Sequence, residues 1–254
     1  PRRVTVNNTD QTGVDLALAP LAAIKGQAVL EKAPANLKCE TPRTSHLDEL
    51  VLQARKDDPA AKPGLDFAAL GANSPGVPNP QGAFTLRGLQ PGRYRLVAQW
   101  PDETWYLKAL TLPPVNPARD GVPVKAGEKL SGLTVTIGVG AASLQGSVKA
   151  SGKLPTKLRV FLLPAEAEAK DEVLRYAETL VDEAGAFKFE HLAPGKYLVV
   201  ARAVDENQAA EKTPRLVAWD TAERTKLRKE ADAVNVVIEL KACERKADVA
   251  LPWK

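Results

Sequence analysis

The chain has 254 residues, of which 44% are hydrophobic and 26% are charged. These values are typical of folded domains and argue against a disordered or fibrous chain, and the length predicts two domains. Basic residues outnumber acidic residues by only 35 to 31 and the two kinds are interspersed, which argues against nucleic acid as a partner. No apolar run reaches the roughly 20 residues that a membrane-spanning helix needs, so no direct membrane span is predicted.

The first 18 residues resemble a later part of the chain. The segment "VTVNNTDQTGVDLALAP" from Val4 has the same alternation of apolar residues as "VPVKAGEKLSGLTVTIG" from Val122. Alternation with a period of two is typical of half-buried β-strands. We therefore predict that residues 1–18 are the last strands of an upstream repeat or a linker. Since the sequence starts at Pro1 and contains no Met, we expect further chain upstream.

A longer phrase also occurs twice. The segment "FTLRGLQPGRYRLVA" begins at Phe84, and "FKFEHLAPGKYLVVA" begins at Phe187. Each predicts two strands joined by a type II turn, because Pro fixes the φ of the second turn residue and Gly tolerates a positive φ at the third. The Tyr two residues after each Gly, Tyr94 or Tyr197, is expected to pack inward and to return its hydroxyl to nearby backbone, as in the tyrosine corner of sandwich domains.

These repeats predict the domain boundaries. A strand through Gly26 corresponds to one through Gly146, so we place one β-sandwich domain at residues 19–138, a second at 139–242, and a C-terminal tail at 243–254. Each domain is expected to contain roughly seven short strands separated by turns. Helix is expected to be minor, and the segment "TAERTKLRKEAD" is predicted to form only one or two turns within a loop.

The repeated pattern resembles a known family. A strand with G-x-V, followed later by G-x-F-x-x-x-x-L-x-P-G-x-Y-x-L-x-A, is similar to the carboxypeptidase regulatory-like domain, a transthyretin-like sandwich related to the Cna protein B-type repeats. The resemblance covers most of the chain. It implies an all-β fold of tandem Ig-like or transthyretin-like antiparallel β-sandwiches, an extracytoplasmic location, and no particular ligand. The motif residues that carry it in the two copies are Gly82, Phe84, Pro91, Gly92, Tyr94, Gly185, Phe187, Pro194, Gly195 and Tyr197.

The sequence does not predict a zinc site. His46 and Glu49 have the spacing of two metallocarboxypeptidase ligands, and His191 lies far downstream. However, His191 occupies a turn position that is Gly88 in the first copy, and zinc catalysis needs three ligands around one open position. No phosphate-binding loop, nucleophile elbow or Cys-His pairing is present either. We therefore predict no metal, no cofactor and no enzymatic activity.

Aromatic residues offer the one candidate binding surface. Trp100, Trp105 and Tyr106 lie close together in "WPDETWYLK". Their rings could stack on sugars or anchor a protein partner, and the alternative is that they pack at the seam between the two domains. The sequence leaves both readings open, with packing at the seam favoured.

The two cysteines, Cys39 and Cys243, also leave two readings open. They either form one disulfide in an oxidising compartment or remain two unrelated thiols.

Taken with the resemblance, these patterns predict a non-catalytic, extracytoplasmic structural or adhesive module. Its location would be periplasmic, at the cell surface or secreted. Its expected partners are other protein subunits or domains of an envelope or extracellular assembly. The alternative is a carbohydrate-binding or accessory domain of a secreted hydrolase, for which the partner would be a polysaccharide.

Overall fold

The computed structural model describes residues 20–35, 37, 39, 44–57, 74–150, 152, 154, 155, 157–204 and 216–253. The predicted upstream strands at 1–18 lie outside the described residues. Below, the described residues up to Val139 are called the N-terminal half and those from Gly140 onward the C-terminal half.

The described residues form fourteen strands and two α-helices. The N-terminal half contains β1 (Ala22–Leu30), β2 (Val51–Lys56), β3 (Ala83–Leu89), β4 (Gly92–Gln99), β5 (Trp105–Thr111), the short helix α1 (Pro117–Asp120), β6 (Val122–Val124) and β7 (Lys129–Val139). The C-terminal half contains β8 (Ala142–Ala150), β9 (Leu158–Pro164), β10 (Ala177–Leu180), β11 (Ala186–Leu192), β12 (Gly195–Ala203), helix α2 (Thr221–Val234), β13 (Val236–Leu240) and β14 (Arg245–Trp253).

Each half is built from two sheets that enclose apolar side chains. The N-terminal half has the sheets β3-β1-β7-β5 and β2-β4-β6, and the C-terminal half has β11-β8-β14 and β10-β9-β12-β13. One cluster of buried side chains draws on residues between Ala22 and Ile137, and another on residues between Ala142 and Leu251. The all-β class and the predominance of antiparallel pairing agree with the sequence prediction.

The pairing of the first and last strands differs from the expectation of a wholly antiparallel sandwich. β1 pairs with β7 in parallel, and β8 pairs with β14 in parallel. The segment expected to be a tail, 243–254, therefore supplies a sheet strand of the C-terminal half. The segment forms a strand because the side chain of Leu251 is fully buried in the apolar cluster of the C-terminal half.

A glycine faces a phenylalanine at the same place in both halves. Gly26 is the pairing partner of Phe84, and Gly146 is the pairing partner of Phe187. A Cβ on either glycine would collide with the opposing ring and with a backbone carbonyl of the parallel neighbour strand. Glycine within a strand marks such a close approach of another backbone, and here it also leaves space for the aromatic ring.

The two motif tyrosines have equivalent surroundings. Tyr94 and Tyr197 are buried, and their hydroxyls donate to the carbonyls of Gln90 at 2.9 Å and Ala193 at 2.6 Å, each four residues earlier. Each hydroxyl therefore reaches backbone at the turn that precedes its own strand.

The Pro-Gly pairs differ from the predicted turn type. The φ angles of Gly92 and Gly195 are 152° and 149°, whereas a type II turn places its third residue near about 80°. The positive φ still favours glycine. Both residues have already entered the strand, since they pair with Val124 and Leu240.

Helix α2 is longer than predicted. It covers 14 residues where the sequence indicated one or two turns, and its first N–H groups are capped by Asp220, whose side chain accepts from Ala222 and Glu223. Leu227 and Ala231 pack against Phe161 of β9 and other outward side chains of the sheet. Tertiary packing thus stabilises a helix whose own apolar face is narrow. Among the described residues, no helix is both long enough and apolar enough to cross a bilayer.

We expect that replacing Gly26 by Ala destabilises the protein by roughly 1–3 kcal/mol, as overpacking of a filled core does. The added Cβ would lie 2.6 Å from the carbonyl oxygen of Leu133, and that backbone atom cannot rotate away. Urea unfolding measures the change. Gly152→Ala is the matched control, because nothing lies within 4 Å of the new methyl group there. Equal effects at the two glycines would contradict the proposed fit.

Candidate functional site at the seam between the two halves

The connection between the halves is short and hydrogen-bonded. β7 ends at Val139 and β8 begins at Ala142. The N–H groups of Gly140 and Ala141 both donate to the carbonyl oxygen of Thr104, at 2.8 Å each. Thr104 is itself fixed, because its N–H and its hydroxyl donate to the side chain of Asp102 at 2.8 and 2.7 Å. The loop before β5 therefore holds the linker in place.

A disulfide lies at the same junction. Cys39 and Cys243 are bonded to each other, with their Cα atoms 5.4 Å apart. The N–H of Cys243 donates to the carbonyl oxygen of Gly140 at 3.1 Å, so the bond lies directly against the linker. Of the two readings that the sequence left open, the structure contains the bonded one.

The turn that carries Cys243 has a counterpart in the N-terminal half. The turn runs from Lys241 to Glu244, and the backbone N–H of Lys241 donates to the carboxylate of Glu244 at 2.7 Å. Lys125 and Glu128 make the same bond at 2.7 Å. Gly127, with a φ of 69°, takes the place of Cys243, whose φ is 61°. The disulfide is thus an addition to a turn that both halves share.

Two aromatic rings stack across the seam. The rings of Trp100 and His191 have centroids 5.6 Å apart and an interplanar angle of 30°. His191 Nδ1 lies 3.0 Å from the carbonyl oxygen of Trp105. Because a carbonyl can only accept, Nδ1 must carry a proton. His191 has a φ of 55°, close to the 73° of Gly88 at the equivalent position, so a histidine keeps a backbone conformation that favours glycine.

A buried arginine joins the halves through polar contacts. Arg95 is 4% exposed and lies on the outer face of β4. It forms an ion pair with the equally buried Asp57 at 2.9 Å, and donates to the carbonyls of Ala118 at 2.8 Å and Arg119 at 2.9 Å. A further bond of 3.3 Å goes to the carbonyl of Trp219 in the C-terminal half. One guanidinium thus connects β4, helix α1 and the segment that precedes α2.

The ring of Trp219 completes this contact. Its centroid lies 5.2 Å from the guanidinium carbon of Arg55 and 5.6 Å from that of Arg95. Cation–π contacts strengthen when the groups are desolvated, and Trp219 is buried. Trp219, just before α2, therefore reaches from the C-terminal half onto the N-terminal half.

An open cleft of about 490 Å³ lies beside these contacts. Tyr106 and Lys108 of β5 line one side, and Glu172, Arg175 and the Pro194 turn line the other. Burial raises the pKa of the Tyr106 phenol, which Lys108 partly counteracts. The phenol is therefore protonated at neutral pH. The described residues that line the cleft include no Ser, Cys or His that could act as a nucleophile or base.

The charged groups of the cleft are already engaged. Lys108 forms an ion pair with Glu31 at 2.7 Å, and the Glu31 carboxylate raises the pKa of Lys108. Arg175 pairs with Glu166 at 3.0 Å and lies over the ring of Tyr197, 5.1 Å from its centroid. Burial raises the pKa of Tyr197, while the Arg175 charge works against that shift. These side chains hold the wall of the cleft together.

The aromatic candidates lie inside the protein or at the seam. Trp105 is 3% exposed and belongs to the core of the N-terminal half, while Trp100 and Tyr106 are half-buried between the halves. Trp219 is buried and Trp253 is half-buried. None of the tryptophans in the described part of the chain is exposed, as a platform for stacking on a sugar would be.

The rejected zinc ligands are used elsewhere. Glu49 accepts from the backbone N–H of His46 at 3.0 Å, which caps a short 3-10 helix, and His191 stacks on Trp100. Within the described ranges, no group of three or more His, Cys, Asp or Glu side chains could hold a metal ion.

Sequence reasoning missed Arg95, Asp57 and the role of Trp219. In "GRYRLVA", Arg95 stands at an outward position of a strand, where a charged residue is normally solvated. Its burial depends on α1 and on a segment more than a hundred residues away. One signal in the sequence could have indicated the position of Trp219. Asp220 follows it and precedes a threonine, and because Asp is a strong helix N-cap, this pattern predicts that a helix starts directly after the tryptophan.

No protein-family model matches the chain, and no curated protein does. Among solved structures, the chain is similar to the Bacillus anthracis TIE protein, with 12% identity and a TM-score of 0.26 over 92% of this chain. It spans only 34% of that protein's length.

Two pilins are also similar. One is a minor pilin of Streptococcus agalactiae, with 10% identity, a TM-score of 0.26, and coverage of 92% of this chain and 95% of the other. Another is the shaft pilin SpaA of Lactobacillus rhamnosus GG, with 12% identity, a TM-score of 0.25, and coverage of 93% and 98%. TM-scores this low do not establish a common fold, so the function of this chain has to follow from its own residues.

We expect Arg95→Met to destabilise the protein by about 3–5 kcal/mol, the cost of leaving a buried charge without its partner. The methionine fills a similar volume but leaves Asp57 and three backbone carbonyls without this donor. Denaturant unfolding followed by tryptophan fluorescence measures the loss. Arg93→Met is the control on the same strand face; Arg93 is exposed, and its replacement should change stability by less than about 0.5 kcal/mol. A loss at Arg95 no larger than at Arg93 would refute the role assigned to this guanidinium.

Proposed function

We propose that the protein is a non-catalytic structural module that acts through protein–protein contacts outside the cytoplasm, in a cell envelope or an extracellular assembly. The observation that carries this proposal is the disulfide between Cys39 and Cys243, which closes the seam between the halves. Structural disulfides persist in oxidising compartments and are rare where thiols are kept reduced.

The use of the side chains at the seam supports a structural role. Groups that could do chemistry already have partners within the protein: the His191 ring stacks on Trp100 across the seam, Lys108 pairs with Glu31 inside the N-terminal half, and Arg95 has backbone and carboxylate acceptors. An active site needs such groups directed at an open position where a reacting atom can lie. Here each of these groups contacts another part of the protein instead.

We further propose that the two halves are carboxypeptidase regulatory-like domains. The motif residues support this assignment, because both tyrosine hydroxyls return to backbone in the same way and both glycines accommodate a phenylalanine ring. The domains proposed at 19–138 and 139–242 then need one amendment, namely that β14 belongs to the second domain. Outward-facing sheet edges would provide the protein contacts.

The redox state of the protein in its native cells tests this proposal. Free thiols are first alkylated in intact cells, and the protein is then digested with trypsin without reduction. We expect the peptides 39–43 and 242–245 to be recovered as one disulfide-linked species, because an oxidising compartment preserves the bond. A Cys39→Ser variant is the control, since it should leave Cys243 open to alkylation. Recovery of both wild-type peptides as separate alkylated species would rule out the proposed location.

A further inference from the structure

The disulfide closes most of the chain into one covalent loop. Cys39 follows β1, and Cys243 precedes β14, so the loop contains every described strand except the first and the last. The two cysteines are 204 residues apart in a chain of 254. With the bond in place, a short covalent path runs from residue 1 to Cys39, across the disulfide, and from Cys243 to residue 254. Residues 40–242 form a loop that is attached to this path only at the two cysteines.

That path decides where a pulling force goes. Tension applied between the two ends of the chain passes along β1, through the bond and out along β14. The residues from 40 to 242 are not in series with this tension, so they cannot be drawn out while the bond is intact. From these facts we infer a mechanical function: the protein transmits tension along its length without drawing out residues 40–242, which contain most of both halves.

The two strands on the path are well anchored. β1 is an inner strand, paired with β3 on one side and β7 on the other, and its Ile24 and Ala28 are buried in the core. β14 is paired with β8 from Arg245 to Trp253 and places Leu251 in the core of the C-terminal half. Displacing either strand would expose these side chains to water, which opposes extension of the path itself.

A second feature, repeated in both halves, suits the same purpose. The first and last strands of each half are neighbours and run in parallel, β1 with β7 and β8 with β14. Pulling the start of the first strand away from the end of the last slides the two along each other, so the hydrogen bonds between them share the load. Each half would therefore resist tension even before the covalent bond is considered, and this pairing does not depend on the disulfide.

Single-molecule force spectroscopy tests the inference, with handles attached at Pro1 and Lys254. With the bond intact, only residues 1–39 and 243–254 can extend, which limits the gain to about 180 Å at roughly 3.5 Å per residue. After a reductant is added to the same molecule, we expect two unfolding steps and a total extension of about 890 Å. This comparison requires no variant to fold.

A Cys39→Ser/Cys243→Ser double variant provides the matched control and should behave like the reduced wild type. Extension of the oxidised protein well beyond about 180 Å would overturn the inference, and so would identical traces before and after reduction. The result is separate from the proposed location, because the bond can be formed in vitro by oxidation. A reduced protein in cells would refute the location and leave this mechanical test unaffected.

Discussion

The fit of a phenylalanine ring over a strand glycine is the constraint on which this structure depends. At Gly26 and Gly146 three strands approach more closely than any side chain would allow: the glycine strand, the strand that carries the aromatic ring, and the parallel last strand of the same half. The last strand has a register shift at this level in both halves. A bulge of this kind re-aims a strand, and it lets the last strand lie beside the first with its apolar residues still facing the core.

The parallel pairing of the first and last strands of each half in turn determines where the seam lies. Because β7 ends beside β1 and leads directly into β8, the two sandwiches follow each other with a linker of two residues, Gly140 and Ala141. The halves then differ in what they add to the shared plan. The N-terminal half adds β5 to the edge of β7, and the C-terminal half adds β10 and helix α2 to its other sheet. The loop before β5 supplies Thr104 to the linker, and the residues before α2 supply Trp219 to the contact with Arg95.

The seam combines contacts with different physical origins. The disulfide restricts the unfolded chain by closing a long loop, an effect that typically stabilises a protein by about 2–4 kcal/mol. Arg95 and Asp57 gain from their ion pair only because the remaining donors of the guanidinium find carbonyls, since a buried charge with unmet donors would cost more than the pair returns. The stack of Trp100 on His191 buries apolar area from both halves.

The sequence by itself determined the strand pattern that occurs in both halves. This includes the alternating strands around Phe84 and Phe187, the inward-facing tyrosines and the all-β class. Period-two alternation and Pro-Gly pairs are local signals, and a repeat makes each copy a check on the other. Only the tertiary structure decided that residues 245–253 form a strand, that α2 runs for 14 residues, that Cys39 meets Cys243 and that Arg95 is buried. Each of these depends on groups far apart in the chain. Their energies come from desolvation and contact between elements that adjoin only after both halves have folded.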